Sequence, residues 1–329
     1  MNEIALIALF TDEESQDFSV INSSHGEEDF RETLIVKLKS GKKIVIKVAN
    51  NSFTTGETIK MWQRCTEEYT KQGYYCPQIH TAMDDSFPKV CYKDRICIAY
   101  AEDYSIYQSA DQCRSVKPFR EALYRMTAKI AKQRFNYTNI PSGYCLFELF
   151  PGDEVDEVME NALDFYEYCK TLPEPFYDQT SRMFSRWKNN REELEKLYFK
   201  LPFSVFQADF NNTNVLVDSE GNFVGIYDFN LAGKDEFLNY LFREIYSGSF
   251  DEELSEILRA LEVASEVYSF SEEEILAAQL IYRCVKPLWY TRVLTLKQAG
   301  QDYDKVKDIL DEMENAQIRN IDFRSVMKR

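Results

Sequence analysis

Apolar and polar residues alternate in two different ways along this chain. In the first hundred residues, residues 33–38 and 43–48 form short β-type runs, separated by a turn that contains Gly41, and they predict a hairpin. Residues 54–69 carry apolar side chains at helical spacing, which predicts a helix that ends near Gly73. Residues 78–83 and 95–100 predict further strands, so this part of the chain is expected to be rich in β-structure.

The helical period takes over after about residue 116. It predicts helices over residues 119–135, 155–172, 181–199, 254–267, 275–296 and 303–318. Pro287 is expected to kink the helix over residues 275–296, because proline lacks the backbone donor that a helix interior needs. Residues 204–229 interrupt the helices with a strand, a loop, a strand, a turn and a strand. The chain is therefore predicted to be an α+β protein.

Composition excludes some classes of protein. The chain has 329 residues, of which 55 are acidic and 39 are basic, for a net charge of −16. That charge repels the phosphates of nucleic acid and argues against general nucleic-acid binding. Hydrophobic residues make up 44% of the chain, enough for a sizeable core. His25 and His80 are its two histidines, too few for a multi-histidine metal site.

The N-terminus and the cysteines indicate a cytoplasmic protein. A secretory signal requires basic residues before its apolar region, and none precedes the short apolar run 4–10. No run reaches the roughly 18 apolar residues of a membrane span. The eight cysteines contain no C-x-x-C pair. We expect them to be reduced, mostly buried thiols rather than disulfides or zinc ligands.

The segment from residue 206 to residue 230 carries the clearest chemistry. Asp209 lies five residues before Asn214, which opens an apolar strand, and Asp228 ends the strand that follows a turn. Such a hairpin brings Asn214 and Asp228 together, where their oxygen atoms can hold a divalent cation. Asp209, on the preceding loop, is placed to accept a proton from a hydroxyl nucleophile. This is the layout of phosphoryl transfer in the kinase fold.

The same segment resembles the catalytic core of the aminoglycoside phosphotransferase and choline kinase superfamily, whose pattern is roughly H-G-D-x-x-x-x-N followed by I-D. The resemblance implies a protein-kinase-like bilobal fold, Asp209 as the catalytic base, and Asn214 and Asp228 as ligands of Mg²⁺. The sequence departs from the pattern at Gln207 and Ala208, which stand where the family has histidine and glycine. A pseudokinase that binds nucleotide without turnover is the alternative that these departures motivate.

The kinase layout also requires a cation for the phosphates of ATP. Lys47 supplies one, since it interrupts the otherwise apolar strand 44–48 and resembles the kinase lysine. Its expected carboxylate partner on the following helix is Glu57, which precedes Trp62 much as the family's glutamate precedes its tryptophan; Glu67 and Glu68 are alternatives. A plain first-turn glutamate that favours the helix dipole is the other interpretation of Glu57.

Two further stretches are expected to contact the nucleotide. The loop over residues 22–27 is predicted to cover the phosphates through Ser24, His25 and Gly26, although it has one glycine. The connector over residues 100–103 is predicted to receive adenine, with contacts from Ala101 and Asp103. We therefore expect a nucleotide-binding lobe over residues 1–103 and a helical catalytic and substrate-binding lobe over residues 104–329.

The acceptor is expected to be a small hydroxyl compound and not a protein, because no activation loop is recognisable after Asn230. The acidic stretches 145–178 and 251–274 are either the solvated faces of amphipathic helices or the lining of a site for a cationic compound, such as an aminoglycoside or amino alcohol. Candidate substrate residues in the first stretch are Glu148, Asp153 and Glu154. Tyr282, Trp289 and Tyr290 are either an aromatic wall for an ammonium group or core residues.

Overall fold

The structure is a computed structural model that describes residues 1–135, 143, 146–207 and 209–327. The chain forms two compact units. The first includes Met1–Phe119 and Gln207–Ala232, and the second includes residues 120–135, 146–206 and 233–327. The hairpin that carries Asn214 and Asp228 therefore belongs to the same unit as Lys47, while the predicted lobe boundary at residue 103 stays a prediction.

The elements of the first hundred or so residues are mostly strands. In chain order they are α1 (Glu3–Ile7), β1 (Ser15–Asn22), β2 (Phe30–Leu38), β3 (Lys43–Asn50), α2 (Gly56–Lys71), β4 (Ile79–His80), β5 (Lys89–Tyr92), β6 (Arg95–Asp103) and β7 (Gln108–Ser109).

The remaining elements are mostly helices. They are α3 (Arg120–Gln133), α4 (Glu157–Cys169), α5 (Phe176–Tyr198), β8 (Phe203–Phe206), β9 (Val215–Val217), β10 (Phe223–Ile226), β11 (Gly233–Glu236), α6 (Phe237–Glu244), α7 (Phe250–Ala264), α8 (Glu272–Val285), α9 (Tyr290–Ala299) and α10 (Tyr303–Ile318). The expected combination of an antiparallel sheet with a larger helical part is confirmed.

The first unit is built on an antiparallel sheet in the order β1-β2-β3-β6-β4, with β5 paired to β6. Side chains alternate between the faces of each strand. One face buries Leu34, Val36 and Ile46 against α1 in the main core of this unit. Lys47 and Tyr100 are cross-strand partners and lie on the opposite face.

The hairpin β9–β10 is the second sheet of the first unit, and β7 pairs with its outer edge. The backbone of Tyr75, in the loop after α2, runs parallel to Gly225 of β10. Tyr75 N donates to Val224 O at 2.9 Å, and Ile226 N donates to Tyr75 O at 3.1 Å. The loop after α2 is thus hydrogen-bonded directly to the strand that leads to Asp228.

The second unit contains eight helices of the described chain, α3 to α10, and two of them, α3 and α6, pack against the short pair β8–β11. Ser271 and Glu274 form a capping box at the start of α8. The expected kink at Pro287 is a full break, because α8 ends at Val285 and α9 starts at Tyr290. The other predicted helices are confirmed within a few residues at their ends.

Among the elements named above, five were not predicted, namely α1, β1, β5, β7 and β11. Among the described residues the cysteines are free thiols, five of them buried, and Cys145 lies outside these residues. No helix in the described part of the chain combines the length and the apolar character that a membrane crossing demands.

Candidate active site

Strand β3 places Lys47 between two carboxylates, those of Asp228 and Glu102. Its Nζ lies 2.8 Å from Asp228 Oδ1 and 3.0 Å from Glu102 Oε1. The side chain of Lys47 is 14% exposed and that of Glu102 is 8% exposed, whereas Asp228 keeps 34% of its side chain open to solvent. Residues from the hairpin and from β6 thus meet at one ammonium group.

The charges of this cluster shift each other's protonation. Burial lowers the pKa of Lys47, but the carboxylates of Asp228 and Glu102 outweigh it and hold the pKa well above its usual value. Burial raises the pKa of Glu102, and the charge of Lys47 opposes that rise. Lys47 therefore stays a cation in this cluster.

Gln207 shapes the loop between β8 and β9. Its buried side chain donates from Nε2 to the carbonyl oxygens of Tyr227 and Asp228, at 3.2 and 3.1 Å, and accepts from Asp209 N at 2.7 Å. Asp228 has a φ of 63°, a conformation that costs a non-glycine residue on the order of 1–3 kcal/mol. The bonds from Gln207 help to hold it, and so the glutamine at the family's histidine position keeps the loop ordered.

Two asparagines hold the carboxylate of Asp209. Asn211 donates from its backbone N to Oδ1 at 2.9 Å and from Nδ2 to Oδ2 at 2.6 Å, and Asn214 Nδ2 lies 3.2 Å from Oδ2. This contact turns the amide nitrogen of Asn214 toward Asp209 and leaves its Oδ1 for another partner. Ala208 lies outside the described residues.

Helix α2 is bonded to the same loop and hairpin. Trp62 Nε1 donates to Ala232 O at 3.1 Å, and Gln207 N donates to the hydroxyl of Tyr69 at 3.2 Å. The rings of Tyr69 and Phe229 meet edge to face at 5.1 Å between centroids. Helix α2 therefore fixes the segment that carries Asp209 and Asp228.

The expected ion pair between Lys47 and Glu57 is absent from the structure. The side chain of Glu57 is 85% exposed, and its oxygen lies 3.8 Å from Lys60 Nζ. Of the alternatives, Glu68 pairs with Lys71 at 2.7 Å. The first turn of α2 starts at Gly56 and points Glu57 to solvent, so the sheet residue Glu102 supplies the carboxylate instead.

The predicted phosphate loop is the β1–β2 connection. Ser24 Oγ accepts from Arg31 N at 2.9 Å, and His25 N donates to Asp29 O at 2.9 Å, so both close the hairpin. Gly26 has a φ of 85°, which suits the turn. Their contact with phosphates stays a prediction.

The connector predicted to receive adenine, residues 100–103, is still part of strand β6, and the connection begins only after it. Ala101 and Asp103 lie inside β6, between β3 and the β4 edge, and Asp103 binds His80 Nε2 at 2.9 Å through Oδ1. The backbone leaves the sheet after Asp103, at Tyr104. Contacts of Ala101 and Asp103 with adenine stay a prediction.

The candidate substrate residues all lie in the second unit. Glu148 already has an ion-pair partner, since its Oε1 lies 2.6 Å from Lys234 Nζ. Asp153 and Glu154 are exposed, and desolvation raises the pKa of Asp153. Tyr282 and Trp289 are buried core residues, which decides against an aromatic wall made of all three rings, while Tyr290 is 53% exposed.

Sequence reasoning missed two residues of this site, Glu102 and Asn211. The sequence did contain a signal for Glu102, because it continues an apolar strand and a carboxylate buried in such a strand almost always has a partner. Asn211 stood in an asparagine-rich loop whose spacing offered no reason to prefer it. Together the first unit brings a cation, a loop carboxylate, an amide oxygen and a hairpin carboxylate into one hydrogen-bonded region.

Known structures share this fold at low sequence identity. A microcompartment-associated aminopropanol kinase is 12% identical, with a TM-score of 0.59 over 95% of this chain and 94% of its own. An amicoumacin kinase in complex with AMP-PNP, Ca²⁺ and Ami is 13% identical, with a TM-score of 0.56 over 98% and 95%.

A spectinomycin phosphotransferase in complex with ADP and spectinomycin is also 13% identical, with a TM-score of 0.52 over 95% and 97% of the two chains. No protein-family model matches the sequence, and no curated protein matches it significantly. The match to the solved structures spans nearly the whole chain in each case. The chain therefore has the protein-kinase-like fold of these small-molecule kinases, as the segment over residues 206–230 led us to expect.

Proposed function

We propose that the protein transfers the γ-phosphoryl group of ATP to a hydroxyl group of a small, cationic molecule, with Mg²⁺. The observation that carries this proposal is the 2.8 Å contact between Lys47 Nζ and Asp228 Oδ1. It joins a strand cation to the carboxylate that follows the Asn214 hairpin, the two groups that kinases use for phosphates and metal. The fold shared with known small-molecule kinases supports the same activity.

Each residue then has a chemical role. ATP supplies the phosphoryl group, and Mg²⁺ neutralises the charge of its phosphates. Lys47 binds phosphate oxygens, and Asp209 accepts the proton of the acceptor hydroxyl as the new phosphorus–oxygen bond forms and the bond to ADP breaks. Asn211 keeps the Asp209 carboxylate in a fixed orientation.

The residues present fit a magnesium ion. Mg²⁺ prefers oxygen ligands and takes one or two from the protein, with the rest from water and phosphates. Asp228 offers a partly exposed carboxylate, and Asn214 offers the amide oxygen that its contact with Asp209 leaves free. Within the described chain no group of three His, Cys, Asp or Glu side chains could hold a metal alone, so nucleotide and metal would bind together.

The acceptor class follows from charge. Residues 145–178 are strongly acidic, and Asp153 and Glu154 are exposed carboxylates within that stretch. Such groups attract cations and raise their local concentration. Two of the proteins of similar fold are named for aminopropanol and spectinomycin. We therefore place amino alcohols and aminoglycosides first among acceptors.

ADP release with ATP and Mg²⁺ tests the proposal. The acceptor panel contains aminopropanol, ethanolamine, choline, homoserine, aminoglycosides and neutral sugars. Asp209→Asn removes the base and is expected to lower kcat by about 10²–10⁴-fold. Asp12→Asn, at an exposed position of the first unit, makes the same chemical change away from the site and should keep full activity.

The outcomes separate the candidate functions. Acceptor-dependent ADP release that Asp209→Asn abolishes and Asp12→Asn retains supports a small-molecule kinase. Stabilisation to heat by ATP and Mg²⁺, without turnover on any acceptor, supports the nucleotide-binding pseudokinase. If ATP and Mg²⁺ leave the unfolding temperature unchanged, the protein is not a nucleotide-dependent enzyme.

A further inference from the structure

Glu102 is a charged residue that lies buried within strand β6. It lies near the end of β6, where Val45 of β3 is its partner on one side and Ile79 of β4 on the other. The residue is 6% exposed. A buried carboxylate is costly unless it is paired, and Glu102 Oε1 finds its ion-pair partner in Lys47 Nζ at 3.0 Å.

The position of Glu102 follows from strand register rather than from a helix. Lys47 lies opposite Tyr100 on the neighbouring strand, and Glu102 lies two residues further along on the same face. Adjacent strands are about 4.8 Å apart, which a lysine and a glutamate side chain bridge easily. The contact is thus as fixed as the β3–β6 ladder.

The two carboxylates at Lys47 are not equivalent. Asp228 is partly exposed and follows Tyr227, whose backbone N donates to Asn214 O at 3.1 Å, so it lies in the region proposed for the metal, where a bound cation would interact with its charge. Glu102 is buried and has no such second task among the described contacts. When Asp228 serves a metal ion, Glu102 remains to orient the ammonium group.

We propose that Glu102 is the positioning residue that holds Lys47 for the phosphates of the nucleotide, in place of a glutamate on helix α2. The inference rests on the proposed function, since it assumes that the site binds ATP. It assigns to a residue of the sheet the role that the family resemblance had suggested for Glu57.

The test compares Glu102→Gln with the matched control Glu57→Gln. Dissociation constants for ATP with Mg²⁺ and for adenosine are measured by calorimetry, because Lys47 acts on phosphates and not on the base. Glu102→Gln should weaken ATP binding at least tenfold and leave adenosine binding within twofold. Glu57→Gln should change neither, although sequence comparison would assign it the larger effect.

A second variant guards against a folding defect. In a Lys47→Gln background, Glu102→Gln should cause no further loss of ATP affinity, because a residue that acts through Lys47 has nothing left to orient. Glu102→Asp keeps the charge on a shorter side chain and should restore part of the ATP affinity that Glu102→Gln loses. A merely structural role predicts equal losses for ATP and adenosine in every background.

The role of Glu102 is overturned if Glu102→Gln binds ATP as the wild type does, or if ATP and adenosine weaken together. It is also overturned if the losses from Glu102→Gln and Lys47→Gln simply add. A wild-type protein that binds no ATP with Mg²⁺ would instead overturn the proposed function, and this role with it. The wild-type measurement therefore distinguishes the two failures.

Discussion

Replacing Gly225 by alanine should separate two segments that touch through their backbones. A Cβ atom at Gly225 would lie 1.8 Å from the carbonyl oxygen of Tyr75 and 2.8 Å from its nitrogen. A carbon and an oxygen atom in contact are about 3.3–3.6 Å apart, so the loop at Tyr75 and the strand at Gly225 would have to move apart by roughly 1.5 Å or more. The obstacle is main chain and cannot rotate away as a side chain would.

The expected loss follows from what that movement breaks. The hydrogen bonds from Tyr75 N to Val224 O and from Ile226 N to Tyr75 O flank Gly225 on both sides. Each is worth about 1 kcal/mol net, and overpacking adds about 1–3 kcal/mol, so the free energy of unfolding should fall by about 3–5 kcal/mol. Asp228 lies three residues further on, and its contact with Lys47 should be lost as well.

Gly56→Ala is the matched control. Its Cβ would meet only Ile98 Cδ1, at 3.9 Å, and alanine suits the first turn of α2 better than glycine does. It should change stability by at most about 1 kcal/mol, in the favourable direction. Urea unfolding followed by tryptophan fluorescence gives both values. If the free energies of unfolding of Gly225→Ala and Gly56→Ala differ by less than about 0.5 kcal/mol, the close approach of Tyr75 to Gly225 is refuted.

Two further predictions concern buried charges of the second unit. Lys286 is fully buried, and its Nζ lies 3.2 Å from Glu253 Oε2 and donates to the carbonyl oxygens of Phe242 and Ile245. Lys286→Met leaves both carbonyls without this donor and leaves Arg292, at 3.5 Å, to pair with Glu253, so it should cost about 3–5 kcal/mol in guanidinium unfolding. Lys297→Met breaks a surface ion pair with Asp164 and should cost under about 1 kcal/mol; similar small losses for the two variants would contradict the pairing of Lys286. Burial, with Glu274 nearby, holds the pKa of Glu236 well above its usual 4.5. The unfolded chain releases this proton first, so wild-type stability should fall relative to Glu236→Gln as pH rises above about 4.5, and parallel pH curves for the two proteins would argue against a raised pKa.

The segment over residues 206–230 was predictable because the groups of the candidate site lie there in nearly contiguous residues. Asp209 and Asn214 sit on one loop, and the hairpin turn fixes where Asp228 must return. Local pairing of β9 with β10 is enough to bring these groups together. The same holds for the strand around Lys47, since alternation in a half-buried strand defines its two faces.

The partner of Lys47 was not predictable, because it depends on two orientations that no local pattern encodes. One is the rotation of α2 about its axis, which burial of Trp62 and Tyr69 sets and which leaves Glu57 outside. The other is the register of β6 against β3, which carries Glu102 to the ammonium group. Both are consequences of packing between distant segments.

Two of the differences between prediction and structure have physical reasons. Strand β1 lies at the edge of its sheet and most of its residues are exposed, so it lacks the alternation that marks a half-buried strand. Around Pro287 the apolar pattern continues, and it therefore predicted one kinked helix where the backbone forms two. Apolar spacing reports burial, and it marks an element boundary poorly when both neighbours are buried.

Helix α2 is tied to the 207–232 segment by Trp62 and Tyr69, while Lys47 is tied to the sheet by Glu102. Many protein kinases are regulated by a helix whose glutamate approaches or leaves the lysine, which turns the enzyme on or off. In this chain a displacement of α2 would break its anchors to the loop and yet leave the lysine paired. In the proposed enzyme the orientation of the lysine would therefore not depend on α2, and a movement of α2 would act on the loop of Asp209 instead.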